Sequence, residues 1–131
     1  MNPDESQIVA FLERYGAALS NGDLPEIAAS WAVPSLVLSD EGAIAVTDPA
    51  QVTSFFGQAV AWYRSNGIVA TEPALELAEA LSERLTAVEV RWAQIDAAGA
   101  ELGSELSAYI LHRGDDGQLR IRVALTRPEP Q

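Results

Sequence analysis

Residues 86–127 read TAVEVRWAQIDAAGAELGSELSAYILHRGDDGQLRIRVALTR. Apolar and polar side chains alternate through 86–95, 101–113 and 118–127, the period of half-buried strands. Between them stand Ala97-Ala98-Gly99-Ala100 and Gly114-Asp115-Asp116-Gly117, whose glycines suit hairpin turns. With both turns tight, Val88 lies opposite Tyr109, Val90 opposite Ser107 and Tyr109 opposite Arg122. One sheet face is then Val88, Val90, Trp92, Ser107, Tyr109, Leu111, Arg120, Arg122 and Ala124. The other is Leu106, Ala108, Ile110, His112, Leu119, Ile121, Val123 and Leu125, an almost unbroken apolar ladder. Apolar side chains on both faces require a cover on each side, helices on one and a second copy of the chain on the other, so a homodimer through the outer face is expected.

Working outward, three helix starts precede this meander. Asn2-Pro3-Asp4-Glu5, Asp23-Leu24-Pro25-Glu26 and Asp48-Pro49-Ala50-Gln51 each set a capping side chain three residues before Glu or Gln, with Pro in the first turn. The first helix carries Ile8, Phe11, Leu12, Tyr15 and Leu19 on one stripe and stops at Asn21-Gly22. In the second, Leu24, Ile27, Ala28 and Trp31 point one way until Pro34 ends it. A short hairpin follows, 36–39 and 43–46 around Asp40-Glu41-Gly42. The third helix runs from about Pro49 to Ser65 and presents Val52, Phe55, Phe56, Ala59, Val60 and Tyr63, with Asn66-Gly67 closing it. Residues 72–81 have helix-forming composition, but the alternation of Leu75, Leu77, Glu79 and Leu81 and the Pro73 interruption favour a bent edge strand. The expected fold is α+β, a cone-shaped curved antiparallel sheet wrapped around three N-terminal helices. Residues 1–127 form one domain and 128–131 a frayed tail.

Composition narrows the function. A chain of 131 residues buries a core without staples, and it lacks Cys altogether. Its eight basic residues are all Arg, which removes lysine Schiff-base chemistry and any P-loop. A formal charge of −11 repels phosphate backbones and anionic lipid, so nucleic acid and membrane are not expected partners. The acidic, polar start is unlike a secretory leader, and a cytoplasmic location is expected. His112 is the single His, so no metal site is expected, and no cofactor motif is present.

The element order, with Phe11-Leu12-Glu13-Arg14-Tyr15 leading to Asn21-Gly22-Asp23-Leu24 and Trp31, Asp48-Pro49 before Phe55-Phe56, and Gly114-Asp115-Asp116-Gly117-Gln118-Leu119 before the last strand, resembles the nuclear-transport-factor-2-like (NTF2-like) superfamily. Within it the likeness is to SnoaL-like polyketide cyclases and ketosteroid isomerases, bacterial-type proteins with a cystatin-like α+β cone. The resemblance implies a mostly apolar pocket between helices and sheet, a dimer through the outer sheet face, and Tyr109 and Arg122 in the pocket. It also implies that Tyr15 matches the first-helix Tyr that donates to a developing oxyanion. The general-base Asp of the isomerases falls at Ser39, with Asp40 next. Their protonated acid falls at Tyr109, and Val33-Pro34 replaces an acidic pair.

Proton abstraction beside a carbonyl needs a carboxylate or His near the carbon acid and donors aimed at the enolate oxygen. Asp40 with Tyr15 and Tyr109 is the constellation that fits by position; against it stands Asp40 as the polar start of a hairpin turn, the more economical role. Trp31, Phe55, Phe56, Val88 and Trp92 are the expected ligand-binding wall, and Arg122 is a clamp for a ligand carboxylate or else a solvated or Glu105-paired strand residue. Two functions follow: a binding protein for a small, mostly apolar, carbonyl-containing molecule, or a cofactor-independent isomerase or cyclase. A non-catalytic dimerisation module is the third alternative.

Overall fold

The computed structural model describes residues 4–127. The Asn2 cap and the tail at 128–131 lie outside the described residues. Helix α1 (Asp4–Asn21) ends where Gly22 takes φ +67°, a conformation only Gly adopts without strain. Helix α2 (Leu24–Ala29) starts at Asp23, whose carboxylate accepts the Glu26 N–H. Strands β1 (Trp31–Ser39) and β2 (Gly42–Val46) form the short hairpin. Helix α3 (Pro49–Ser65) opens with a full capping box, the Asp48 carboxylate taking the Ala50 N–H at 2.8 Å and Gln51 Oε1 taking the Asp48 N–H at 3.0 Å. Strands β3 (Ala70–Ala80), β4 (Leu85–Ile95), β5 (Glu101–Arg113) and β6 (Leu119–Arg127) follow as a meander.

The six strands form one curved, unclosed sheet in the order β2-β1-β6-β5-β4-β3. Every neighbouring pair is antiparallel except β1 and β6, which run parallel. That pair corrects the expected second helix. Trp31 is a strand residue, because Ser30 O accepts the Ile121 N–H at 2.8 Å and Trp31 pairs with Ile121. The helix therefore stops at Ala29, five residues before Pro34, since sheet hydrogen bonds from a distant strand outweigh the weak local preference for another helical turn.

The β4–β5 register matches expectation, with Val88 opposite Tyr109 and Val90 opposite Ser107. The β5–β6 register does not. Arg113 pairs with Leu119 rather than Gln118, which slips the strand by one residue and exchanges its faces. A bulge then places Arg122 as an extra residue between the Leu111–Ile121 and Ile110–Val123 pairs, and Tyr109 meets Ala124 instead of Arg122. The two changes cancel beyond the bulge. Only residues 119–122 exchange faces: Leu119 and Ile121 turn into the core, where Ile121 is fully buried, and Arg120 and Arg122 turn outwards. Ile121 is therefore not part of the outer ladder, which keeps Leu106, Ala108, Ile110, Val123 and Leu125.

The inner face and helices share one core of Ile8, Phe11, Leu12, Ile27, Val88, Val90, Leu111 and Ile121. Helix α1 approaches β3 and β4 closely at Gly16, where a methyl group would stand 3.1 Å from Trp92 and 3.2 Å from both Pro73 and the Thr71 carbonyl. No helix is long and apolar enough to cross a membrane among the described residues.

Candidate functional site

Between α1, α3, the β1–β2 hairpin and the inner face of β4–β6 lies a cavity of about 620 Å³. All three tryptophans, all three tyrosines, Phe55 and Phe56 line it, together with Leu19, Val37, Val46, Val52 and Ala124. Ile44 (65% exposed), Phe55 (64%) and Trp62 (53%) mark its open mouth, whereas Tyr15, Trp31, Trp92 and Tyr109 are buried at its inner wall.

Two indole–phenol pairs organise that wall. Trp31 Nε1 donates to the Tyr15 hydroxyl at 3.1 Å, and Trp92 Nε1 donates to the Tyr109 hydroxyl at 3.0 Å. An indole N–H can only donate, so each phenol oxygen is an acceptor here, and Tyr109 has a further side-chain hydrogen bond with Ser107. Tyr15 is further held by stacking on Phe11 (6.1 Å between centroids) and by edge contacts to Phe56 and Trp92. Burial pushes the Tyr15 phenol well above its ordinary 10.0 and the neighbouring Tyr109 adds to it, against the Trp31 hydrogen bond. Burial likewise pushes Tyr109 and Tyr63 up to about 12. All three are neutral donors at physiological pH and cannot serve as phenolate bases.

The cavity also holds a carboxylate that the sequence showed only as a possible partner for Arg122. Glu105 stands directly opposite Trp92 on the neighbouring strand and lines the wall. Burial raises its carboxyl pKa, and the Gln94 Nε2 donor at 3.2 Å works against that rise. The available signal was the strand period: Glu105, Ser107 and Tyr109 sit at i, i+2 and i+4 on one face. Tyr63, which joins Glu105 at the wall, was visible only as part of the α3 stripe.

Several expected site residues stand elsewhere. Asp40 is exposed in the β1–β2 turn and does not line the cavity, so the expected base is outside it. It sits at the turn of a hairpin whose cavity-lining residues are Val37, Ile44 and Val46, and the Glu41 N–H of that turn donates to the Ser39 hydroxyl at 3.3 Å. Arg122 is on the outer face, where it donates to the Pro34 carbonyl at 2.6 Å and to His112 Nδ1 at 3.0 Å; the bulge that turned it outward excludes a clamp inside the cavity. His112 accordingly accepts at Nδ1 on the outer face. Val88 is core, 1% exposed and behind the wall rather than on it. Tyr15, Tyr109, Trp31, Phe55, Phe56 and Trp92 do converge on the one cavity. Among the described residues, no cluster of three or more His, Asp or Glu side chains is placed to hold a metal ion.

Comparison with known proteins agrees with this architecture. Among curated proteins none matches the chain. The structure is similar to a domain of unknown function with a cystatin-like fold from Nostoc punctiforme (TM-score 0.78, 21% identity, covering 100% of this chain and 80% of that one). It is also similar to Aln2 from a Streptomyces species (TM-score 0.74, 16% identity, 98% and 93% covered). A third likeness is to a ketosteroid isomerase-like protein from Erwinia carotovora atroseptica (TM-score 0.70, 13% identity, 96% of each chain covered). At these identities the likeness is one of fold. The model of an NTF2-like protein family, DUF6841, matches residues 4–129, and the chain belongs to that family.

Proposed function

We propose that the chain binds a small, mostly apolar, carbonyl-containing molecule in the cavity, the carbonyl oxygen accepting from the Tyr15 and Tyr109 hydroxyls. The observation that carries this reading is the pair of buried phenols, each already accepting from an indole at the wall of a mostly apolar cavity, with Ser107 beside Tyr109 as its further hydrogen-bonding partner. Polarisation by the indole donor strengthens the phenol as a donor in its turn. Calorimetric titration with p-tert-butylacetophenone and with p-tert-butylcumene, which replaces the carbonyl oxygen by a methyl group, tests it. The ketone is expected to bind about tenfold more tightly, the worth of one good buried hydrogen bond. Tyr15→Phe and Tyr109→Phe should each reduce that preference. Equal affinity for ketone and hydrocarbon would remove the oxygen-recognition role, and binding of neither would remove the ligand-binding reading.

The isomerase or cyclase alternative requires a base within the cavity, and Asp40 is outside it; Glu105 is the carboxylate that lines the wall. A homodimer is part of the proposed reading, supported by the outer ladder of Leu106, Ala108, Ile110, Val123 and Leu125, all only partly covered in the single chain. Sedimentation should show a dimer at micromolar concentration and a folded monomer for Val123→Glu. A wild-type monomer would refute the dimer and leave the cavity reading untouched.

A further inference from the structure

Glu105 poses an electrostatic problem that the carbonyl reading leaves unsolved. It lines a cavity walled by aromatic rings, and none of the residues lining that cavity is an Arg or His, while the chain contains no Lys. Its partner is the Gln94 amide, a neutral donor that satisfies one oxygen without supplying charge. A carboxylate drawn partly out of water is costly unless a cation meets it. Across the strand stands the Trp92 ring, and from α3 comes Tyr63, which lies close enough for the Glu105 charge to raise its phenol pKa. Both rings line the same cavity, and aromatic rings attract cations. The whole molecule carries a formal charge of −11, which draws cations towards any opening.

We infer that the ligand is an organic cation, a protonated or quaternary amine on an apolar carbonyl-bearing body, with its nitrogen between the Glu105 carboxylate and the rings of Trp92 and Tyr63. This inference rests on the proposed occupancy of the cavity and specifies the far end of the ligand. The two roles divide the wall: neutral phenols at Tyr15 and Tyr109 take the oxygen, and Glu105 takes the charge. No bond is made or broken.

A matched pair of ketones separates the inference from the reading beneath it. The probes are p-acetyl-N,N,N-trimethylanilinium and p-tert-butylacetophenone, which share size, shape and carbonyl and differ in carrying a cationic nitrogen or a neutral carbon. Titration calorimetry at neutral pH should show the cation binding about tenfold or more tightly, as expected for one charge contact reinforced by aromatic faces. Glu105→Gln should cut the affinity ratio to about two- to fivefold or less, the part that the rings of Trp92 and Tyr63 supply without the carboxylate. The wild type provides a second route that needs no variant. The groups facing Glu105 are Gln94 and Trp92 from β4, Tyr109 on its own strand and Tyr63 from α3; the phenols ionise only near pH 12, so as pH falls Glu105 is the group that titrates and the cation preference should fade. Equal affinities in the wild type overturn the inference while leaving the carbonyl reading intact. A preference that Glu105→Gln leaves undiminished also overturns it. So does deuterium exchange at the ketone methyl group that Glu105→Gln abolishes in the absence of any cation preference, since Glu105 would then be a base. Binding of neither probe removes the carbonyl reading, and the inference falls with it.

Discussion

Replacing Tyr15 with Phe deletes one oxygen atom and leaves the Trp31 indole N–H buried beside a hydrocarbon edge. Tyr15 is 2% exposed and Trp31 7%, so water does not reach the donor in the way it would at a surface. The loss has two parts. The 3.1 Å hydrogen bond itself contributes about 1 kcal/mol net, and the orphaned N–H carries a desolvation cost of about 1–3 kcal/mol. Tyr15→Phe should therefore destabilise the fold by about 2–4 kcal/mol, a melting temperature lower by roughly 6–16 °C for a domain of this size. Trp31→Phe removes the donor and leaves a small void, a cost of its own that says nothing about the bond. The double variant removes both partners together, so the sum of the single losses should exceed the double loss by about 1–2 kcal/mol. Urea unfolding followed by far-ultraviolet circular dichroism gives each stability without relying on Trp31 emission, and constant denaturant slopes validate the comparison. A Tyr15→Phe protein as stable as the wild type, or a coupling below about 0.5 kcal/mol, would refute the claim that the indole fixes the phenol.

Three further outcomes follow from the same geometry. Tyr63 and Tyr109 hold their protons to about 12 in the native state, whereas the unfolded chain releases them from about 10, so their contribution is intact below pH 10 and stability falls as pH rises through 12. For Tyr109 the loss approaches about 3 kcal/mol, and absorbance at the tyrosinate band should rise together with unfolding rather than ahead of it. Gly16→Ala gains about 1 kcal/mol of helix preference and forces a methyl group against Trp92, itself tied to Tyr109, and against the Thr71 carbonyl. Thermal melts should show a net loss of about 1 kcal/mol, and a more stable variant would mean that Trp92 yields freely. Asp40→Asn changes an exposed turn residue outside the cavity, so ketone affinity and melting temperature should both match the wild type; a lost affinity would place the hairpin turn over the ligand.

What the sequence determined by itself is local. Helix α3 was legible because Asp48, Pro49, Gln51 and Asn66-Gly67 act within one turn of each boundary. The β4–β5 pairing was legible because the turn around Gly99 is short and the alternation on both strands agrees. From these and the α1 stripe, Tyr15, Phe55, Phe56, Trp92 and Tyr109 could be named at the cavity, since a side chain's face follows from its period, whereas Tyr63 showed only as part of the α3 stripe. The tertiary structure decided what depends on remote pairing. Trp31 leaves its helix because Ile121 offers a strand partner that no neighbour in sequence announces. Arg122 faces outward because one residue of loop and one residue of bulge displace it, and a period of two reverses under a shift of one. Asp40 and Glu105 exchange places as the cavity's carboxylate for a related reason. Alternation says that two residues share a face; only the closed packing of sheet against helices says which face is inside.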